Sequence, residues 1–179
     1  MESDNIQIRD SATGDIEHLQ MLEKSAGELF RGVPGLEWIA DDATLSQSQH
    51  QHIIEAGLSF KALISTTRRE DSVIAGFVCC ELLPQKLHVL ELSVGEQWQG
   101  RGIGRALMTH AINRARELRL SEVTLTTCRE IPWNEPFYQK LGFETLDEDR
   151  LTTRLAGILD KEVELGFSRS QRCAMQLML

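Results

Sequence analysis

A chain of 179 residues is long enough for one domain with a sizeable core, and 41% hydrophobic and 26% charged residues are typical of a globular protein. The net charge of −8 argues against nucleic acid or anionic lipid as partners, because both require a basic surface. No apolar run approaches the roughly 20 residues that span a bilayer, and the N-terminus lacks the features of a signal peptide. We therefore expect a cytoplasmic protein, whose acidic charge suits a cationic substrate or serves solubility alone.

Hydrophobic spacing predicts a strand and two helices at the start of the chain. Residues 6–8 alternate in polarity, which favours a short strand. A helix capped by Thr13 or Asp15 follows, since apolar residues then recur at helical spacing. These residues are Ile16, Leu19, Leu22, Ala26 and Leu29. Residues 30–42 are rich in glycine and proline and predict a loop, after which Thr44 opens a second helix.

The middle of the chain changes its hydrophobic period. Residues 60–65, 74–82 and 87–94 are strand-like and joined by short polar turns, the first of them the charged segment RREDS. Such spacing favours an antiparallel meander. Residues 103–118 then carry an apolar stripe at helical period, and residues 123–127 are β-branched. Strand, helix and strand form a βαβ unit, for which we expect a right-handed crossover and parallel strands.

The last part of the chain alternates helices and strands. Asn134 begins a short helix that ends at Gly142, a residue suited to the position after a helix. The remaining predicted elements are a strand at 143–146, a helix at 151–165 and a final strand at 173–179. Because no repeat, low-complexity segment or linker interrupts the pattern, we expect a single domain over residues 1–179.

The four cysteines form neither a metal-binding nor a disulfide pattern. Cys79 and Cys80 are adjacent, and no C-x-x-C pair includes them, Cys128 or Cys173. Each lies in an apolar, strand-like run, where a buried thiol in a reducing compartment is the expected state. The sequence therefore predicts reduced core cysteines and no metal site.

The strongest local signal is QGRGIG at residues 99–104, between a predicted strand and a predicted helix. Glycines let backbone N–H groups approach a ligand, and the first turn of a helix attracts anions. Together they favour a pyrophosphate site. The Rossmann pattern G-x-G-x-x-G fails because its last glycine would fall at Arg105, and a Walker G-K-[S/T] triplet is missing. A tight strand-to-helix turn without a ligand is the alternative.

What remains is Q-x-x-G-x-G, with Gln99, Gly102 and Gly104. It resembles the pyrophosphate loop, [Q/R]-x-x-G-x-[G/A], of the GNAT superfamily of N-acetyltransferases. A second stretch, PWNEPFYQKLGF at residues 132–143, is similar to the second signature of that family. The two stretches occur in the family's order, with the predicted βαβ unit between them. The resemblance spans nearly the full chain, but only these two stretches are specific.

The resemblance implies a fold and a co-substrate. The fold is the GNAT fold, an α/β (α+β) architecture with a central, mixed but mostly antiparallel sheet of about six or seven strands flanked by helices. A parallel pair, the fourth and fifth strands, splays apart at the cofactor site. The co-substrate is acetyl-CoA, whose pantetheine arm pairs with the fourth strand. The implied cofactor-binding residues are Leu92, Ser93, Val94, Gln99, Gly100, Arg101, Gly102, Ile103, Gly104, Asn134 and Tyr138.

The resemblance also implies direct attack of an amine on the thioester. Tyr138 is then the acid that protonates the departing thiolate, and the N–H of Val94 stabilises the developing oxyanion. An alkylamine with a pKa of about 10 needs a base, for which Glu91 is the first candidate and His88 the second. Since they have opposite parity on one strand, at most one points into the site.

Structural roles compete with these assignments. Asn134 also fits a helix cap, Tyr138 an ordinary core aromatic, and Glu91 or His88 a solvated or paired position. The resemblance puts the wall of the acceptor site in the loop of residues 30–42. The candidates there are Glu37, Trp38, Asp41 and Asp42.

These observations predict an acetyl-CoA-dependent N-acetyltransferase that acts on a primary amine of a small molecule or peptide. The resemblance is compatible with a homodimer. The rival interpretation is a non-catalytic acyl-CoA-binding regulatory module with the same fold.

Overall fold

The computed structural model describes residues 5–65 and 72–179, so the predicted turn RREDS lies almost wholly outside the described residues. Within them, seven strands form a sheet in the order β1-β2-β3-β4-β5-β7-β6. The strands are Asn5–Asp10 (β1), Ser59–Ser65 (β2), Ser72–Leu83 (β3), Lys86–Val94 (β4), Glu122–Cys128 (β5), Glu144–Thr145 (β6) and Arg172–Met178 (β7). The described α-helices are Ile16–Gly27 (α1), Gln47–Glu55 (α2), Ile103–Glu117 (α3), Glu135–Gln139 (α4) and Thr153–Leu165 (α5).

The sheet is mixed and mostly antiparallel, as predicted. β2 pairs antiparallel with β1 and β3, and β7 pairs antiparallel with β5 and β6. β4 and β5 are parallel, which confirms the βαβ unit β4–α3–β5. Their ladder joins residues 86–88 to residues 122–124, whereas β4 continues to Val94.

Two helix starts differ from the prediction. The second helix begins after Ser46 rather than at Thr44, because the Ser46 hydroxyl accepts the N–H of Gln49 and the Gln49 amide oxygen accepts the N–H of Ser46. This reciprocal pair is a capping box. Asp15 directly precedes α1 but makes no side-chain cap, since its carboxylate accepts the N–H of Ala12 at 2.7 Å.

The predicted loop at residues 30–42 is more ordered than expected. It includes the end of one 3-10 helix, Glu28–Gly32, and all of a second one, Glu37–Asp41. Two of its own residues, Leu36 and Ala40, are buried. Short 3-10 turns therefore fix this connection, despite its glycine and proline residues.

The chain divides into two compact units, Met1–Glu81 with Leu90–Arg114, and Leu82–Val89 with Ala115–Leu179. Each has its own set of buried apolar side chains. In the first unit these include Leu19, Phe60, Ile64, Phe77, Ile103 and Leu107. In the second unit Leu146, Leu155, Leu159 and Ala174 form one cluster.

All four cysteines are buried and carry free thiols, as the sequence predicts. Burial raises the pKa of Cys79 and that of Cys173 to about 12, so both are uncharged at neutral pH and are poor nucleophiles. Across residues 5–65 and 72–179, no helix is both long and apolar enough to cross a bilayer.

Candidate functional site

The glycine-rich loop at residues 99–104 follows β4 through a short 3-10 helix, Glu96–Trp98. Gly100 and Gly102 have φ angles of +74° and +83°, in the left-handed region that glycine adopts without steric cost. A Cβ atom at either position would meet no other atom within 4 Å. The backbone of this loop therefore faces open space, as an anion-binding turn requires.

Helix α3 begins at Ile103, within this loop. The N–H of Ala106 donates to the carbonyl of Gly102 at 3.0 Å as the first helical hydrogen bond. The N–H groups of Ile103, Gly104 and Arg105 precede that bond and belong to the turn that has no intrahelical partners. With the positive end of the helix dipole, they fit the diphosphate of a nucleotide cofactor.

Side chains of the same loop hold its shape. Gln99 donates through Nε2 to the carbonyl oxygen of Val94 at 3.0 Å, which ties the loop to the end of β4. The guanidinium carbon of Arg101 lies 5.0 Å from the centroid of the Trp98 ring, a cation–π contact. The side chains of Gln99 and Arg101 thus stabilise the turn. The backbone groups of the loop are left to bind a ligand.

The end of β4 lies against β3. Ser93 is 2% exposed and donates through its hydroxyl to Oε1 of Glu91 at 2.7 Å, whereas Leu92 and Val94 are half-buried. A Cβ atom on Gly76 of β3 would stand 2.7 Å from the carbonyl oxygen of Ser93. Glycine at this position therefore permits the close approach of the two strands.

Glu23 is a largely buried carboxyl group that the sequence did not single out. Its side chain on α1 is 15% exposed, and both carboxylate oxygens lie 3.1 Å from the N–H of Leu45, which donates to them. Burial, first, and the charge of Glu91, second, raise the pKa of Glu23 to about 8. The signal was present in the sequence, because Glu23 falls at helical spacing from Leu19 and Ala26 on the buried stripe of α1.

His50 on α2 lies beside Glu23. The histidine is fully buried, and its Nε2 is 3.9 Å from Oε2 of Glu23. That nitrogen has no hydrogen-bond partner among the residues that the structure describes, whereas Nδ1 lies 3.9 Å from Sγ of Cys79. Burial lowers the pKa of His50, so its ring is neutral at pH 7.

His88, the second candidate for the base, is buried within the second unit. It is 3% exposed, and its Nδ1 lies 2.9 Å from Oγ1 of Thr124 on β5. Burial lowers the pKa of His88 to about 4. A neutral imidazole with so low a pKa is a weak base at pH 7, so this environment does not support a catalytic role for His88.

The predicted acceptor-site residues have different environments. Asp41 accepts two hydrogen bonds from Arg31, at 2.8 and 3.1 Å, and shares this cation with Glu28. Asp42 accepts the N–H of Ala43 at 2.8 Å. Glu37 is exposed and Trp38 is half-buried.

Tyr138 lies on α4, and Asn134 directly precedes that helix. Both belong to the second unit. Tyr138 is 9% exposed and contacts Phe137 and Phe143 edge to face, with ring centroids 5.0 and 5.8 Å apart. Asn134 occupies the N-cap position, but its side chain makes no capping hydrogen bond. Buried Glu135 instead fixes α4, since it accepts the hydroxyl of Thr145 at 2.6 Å.

Comparison with protein families agrees with this geometry. The model of the acetyltransferase (GNAT) family matches residues 33–143, which include the glycine-rich loop and the segment around Tyr138. The chain belongs to the GNAT family. It is therefore a member of an acetyltransferase family. The acetyl donor of this family is acetyl-CoA.

Solved GNAT structures share the fold at low sequence identity. The PaiA N-acetyltransferase of Thermoplasma acidophilum, crystallised with coenzyme A, is 20% identical with a TM-score of 0.69, over 98% of this chain and 99% of that one. The ribosomal-protein-S18-alanine N-acetyltransferase of Escherichia coli is 17% identical with a TM-score of 0.65, over 97% and 94%. N-acetylglutamate synthase of Neisseria gonorrhoeae, complexed with coenzyme A and N-acetyl-glutamate, is 20% identical with a TM-score of 0.69, over 98% of this chain and 35% of that one.

Proposed function

We propose that this GNAT protein transfers the acetyl group of acetyl-CoA to a primary amine of a small molecule or peptide. The observation that carries the proposal is the backbone of residues 99–104. Two glycines in left-handed conformations face open space directly before the first turn of α3, in the spacing that the family uses for a diphosphate. A turn that served only to join strand to helix would not need two such glycines with nothing packed against them.

The residues proposed to hold acetyl-CoA are those of the loop and of the end of β4. The backbone N–H groups of residues 102–104 bind the diphosphate, and residues 92–94 offer strand backbone to the pantetheine arm. The resemblance adds Asn134, whose side chain makes no capping bond. When bound, acetyl-CoA supplies a thioester carbonyl that an amine can attack.

Three groups of the chain are proposed to serve the transfer. Glu91 accepts a proton from the acceptor, and the hydrogen bond from Ser93 fixes its carboxylate. The N–H of Val94 donates to the oxygen on which negative charge develops. The phenol of Tyr138 gives a proton to the leaving sulfur.

Two measurements on the purified full chain test this function. Calorimetry with coenzyme A tests the proposed cradle, and a thiol-release assay with acetyl-CoA across a panel of amines tests the transfer. We expect micromolar binding of coenzyme A and release of thiol that depends on the amine. Absence of heat on adding coenzyme A would contradict the proposal, and binding without any acceptor-dependent release would favour the regulatory module.

The range of acceptors in the family is broad. One structural relative carries the name of an enzyme for a ribosomal-protein alanine, and another binds N-acetyl-glutamate. Both small molecules and peptides therefore remain proposed acceptors. The single domain over residues 1–179, the cytoplasmic location and the homodimer stay predictions.

A further inference from the structure

Glu23 is a largely buried carboxyl group without a cationic partner among the described residues. Burial and the charges of Glu91 and Asp42 raise its pKa to about 8, and the hydrogen bond from the N–H of Leu45 acts in the opposite direction. A buried carboxylate is stable when a positive charge pairs with it. Among the described residues, the neighbours of Glu23 are instead the neutral N–H of Leu45 and the negative charges of Glu91 and Asp42.

Nε2 of His50, for which residues 5–65 and 72–179 supply no hydrogen-bond partner, faces the same carboxyl group. Nε2 of His50 and Oε2 of Glu23 are 3.9 Å apart, too far for a hydrogen bond between them. Both are close enough for one N–H-bearing group to donate to each, since such bonds are about 2.9 Å long. Because His50 is fully buried, its unsatisfied nitrogen marks a polar position that a ligand can complete.

Glu91 acts on the same group of side chains. The charges of Glu91 and Glu23 both raise the pKa of Cys79, whose sulfur lies 3.9 Å from Nδ1 of His50. The charges of both carboxyl groups, from α1 and β4, therefore reach the sulfur atom that lies beside the buried imidazole. Ser93 orients the second of them through its 2.7 Å hydrogen bond.

We propose that Glu23 and Glu91, with Nε2 of His50 beside them, form a subsite that binds the acceptor as its ammonium ion. This inference rests on the transferase function proposed above and narrows its substrate class to strongly basic alkylamines. An ammonium group has three donors, which match the two carboxyl groups and the imidazole. Its positive charge favours the ionised form of Glu23, so the carboxyl group releases its proton when the amine binds.

The experiment is a calorimetric titration of the full chain, saturated with coenzyme A, with pairs of amines that differ in charge but share a ring. Benzylamine, protonated at pH 7, and aniline, neutral at pH 7, are one such pair, and alkylammonium ions of other lengths extend the panel. We expect binding of at least one alkylammonium ion and proton release that depends on the buffer. In Glu23→Gln the affinity falls about tenfold or more, whereas affinity for neutral amines does not change.

Two further variants control the result. Glu91→Gln weakens alkylammonium binding in the same direction, and it tests the subsite even where Glu23→Gln does not fold. Glu17→Gln removes an exposed charge from the same helix and leaves affinity unchanged. Equal alkylammonium affinity in wild type, Glu23→Gln and Glu91→Gln would overturn the subsite, as would preference for the neutral amine. Coenzyme A affinity is measured for each protein, so failure of the subsite stays distinct from failure of the transferase function.

Discussion

The side-chain amide of Gln99 donates a 3.0 Å hydrogen bond to the carbonyl oxygen of Val94. This bond closes the turn that joins β4 to the glycine-rich loop. Gln99 therefore has a structural role, because the Nε2 atom of Gln99 fixes the loop without a ligand. The loop is therefore pre-organised, and substitutions in it are expected to change binding more than stability.

The loop glycine Gly102 tests the proposed diphosphate site. In Gly102→Glu a negative charge and a side chain enter the mouth of the loop, and we expect coenzyme A affinity to fall by at least about 100-fold, measured by calorimetry. Gly57→Glu is the matched control. Gly57 also has a left-handed φ, of +70°, with open space around it. A glutamate at position 57 is therefore strained by about 1–2 kcal/mol, as is a glutamate at position 102. Retained affinity in Gly102→Glu would show that the loop is misassigned.

The contact between β3 and β4 gives a second prediction. In Gly76→Ala the new Cβ atom meets the carbonyl oxygen of Ser93 at 2.7 Å, so the backbone of one strand must move. We expect unfolding free energy to fall by about 1–3 kcal/mol and coenzyme A affinity to fall with it, by denaturant titration and calorimetry. Gly157→Ala, in open space on α5, is the control and should be neutral or stabilising by up to about 1 kcal/mol. Unchanged stability in Gly76→Ala would contradict the close approach.

The hydroxyl group of Tyr138 gives a third prediction. Phenylalanine keeps the edge-to-face contacts with Phe137 and Phe143, so we expect a thermal midpoint near that of wild type. Turnover should fall about 100-fold if the phenol protonates the leaving thiolate, while coenzyme A affinity is kept. Steady-state kinetics on an accepted amine measures this, and a rate near that of wild type would remove the catalytic role from Tyr138.

The pH dependence of stability gives a fourth prediction. The folded-state pKa of Glu23, about 8, lies above its ordinary value of 4.5. Between these values the unfolded chain releases a proton that the folded chain keeps, so this contribution to stability is complete below pH 4.5 and lost as pH rises to 8. Glu23→Gln removes that loss. We expect its unfolding free energy relative to wild type to rise by about 3–4 kcal/mol from pH 5 to pH 8.

Denaturant titrations at several pH values measure this difference. Glu17→Gln, an exposed position on the same helix, serves as the control and should follow the wild-type curve. A difference between Glu23→Gln and wild type that is constant with pH would show that the pKa of Glu23 is not raised.

The GNAT fold was implied by a resemblance, but the sequence by itself determined the βαβ unit and the position of the glycine-rich loop. Both depend on short-range patterns, namely the change from alternating to helical periodicity around Gly100 and the spacing of glycines that only a left-handed turn requires. Hydrogen-bonded caps decided the details, as at Ser46, because Thr44 and Ser46 are equally suitable residues and Gln49 selects one of them.

Only the tertiary structure placed His50 beside Glu23 and brought Glu23 under the influence of the charge of Glu91, because α1, α2 and β4 are distant in the sequence. A glutamate on an apolar stripe suggests burial, but its pKa depends on which charges and donors surround it. Glu91 and His88 have opposite parity on β4, so the sequence predicts that they point to opposite faces of the sheet. Only the structure shows that His88 is the one buried against Thr124. Electrostatic environments are properties of the packed chain, so local patterns locate the loop and leave the acid–base groups to the fold.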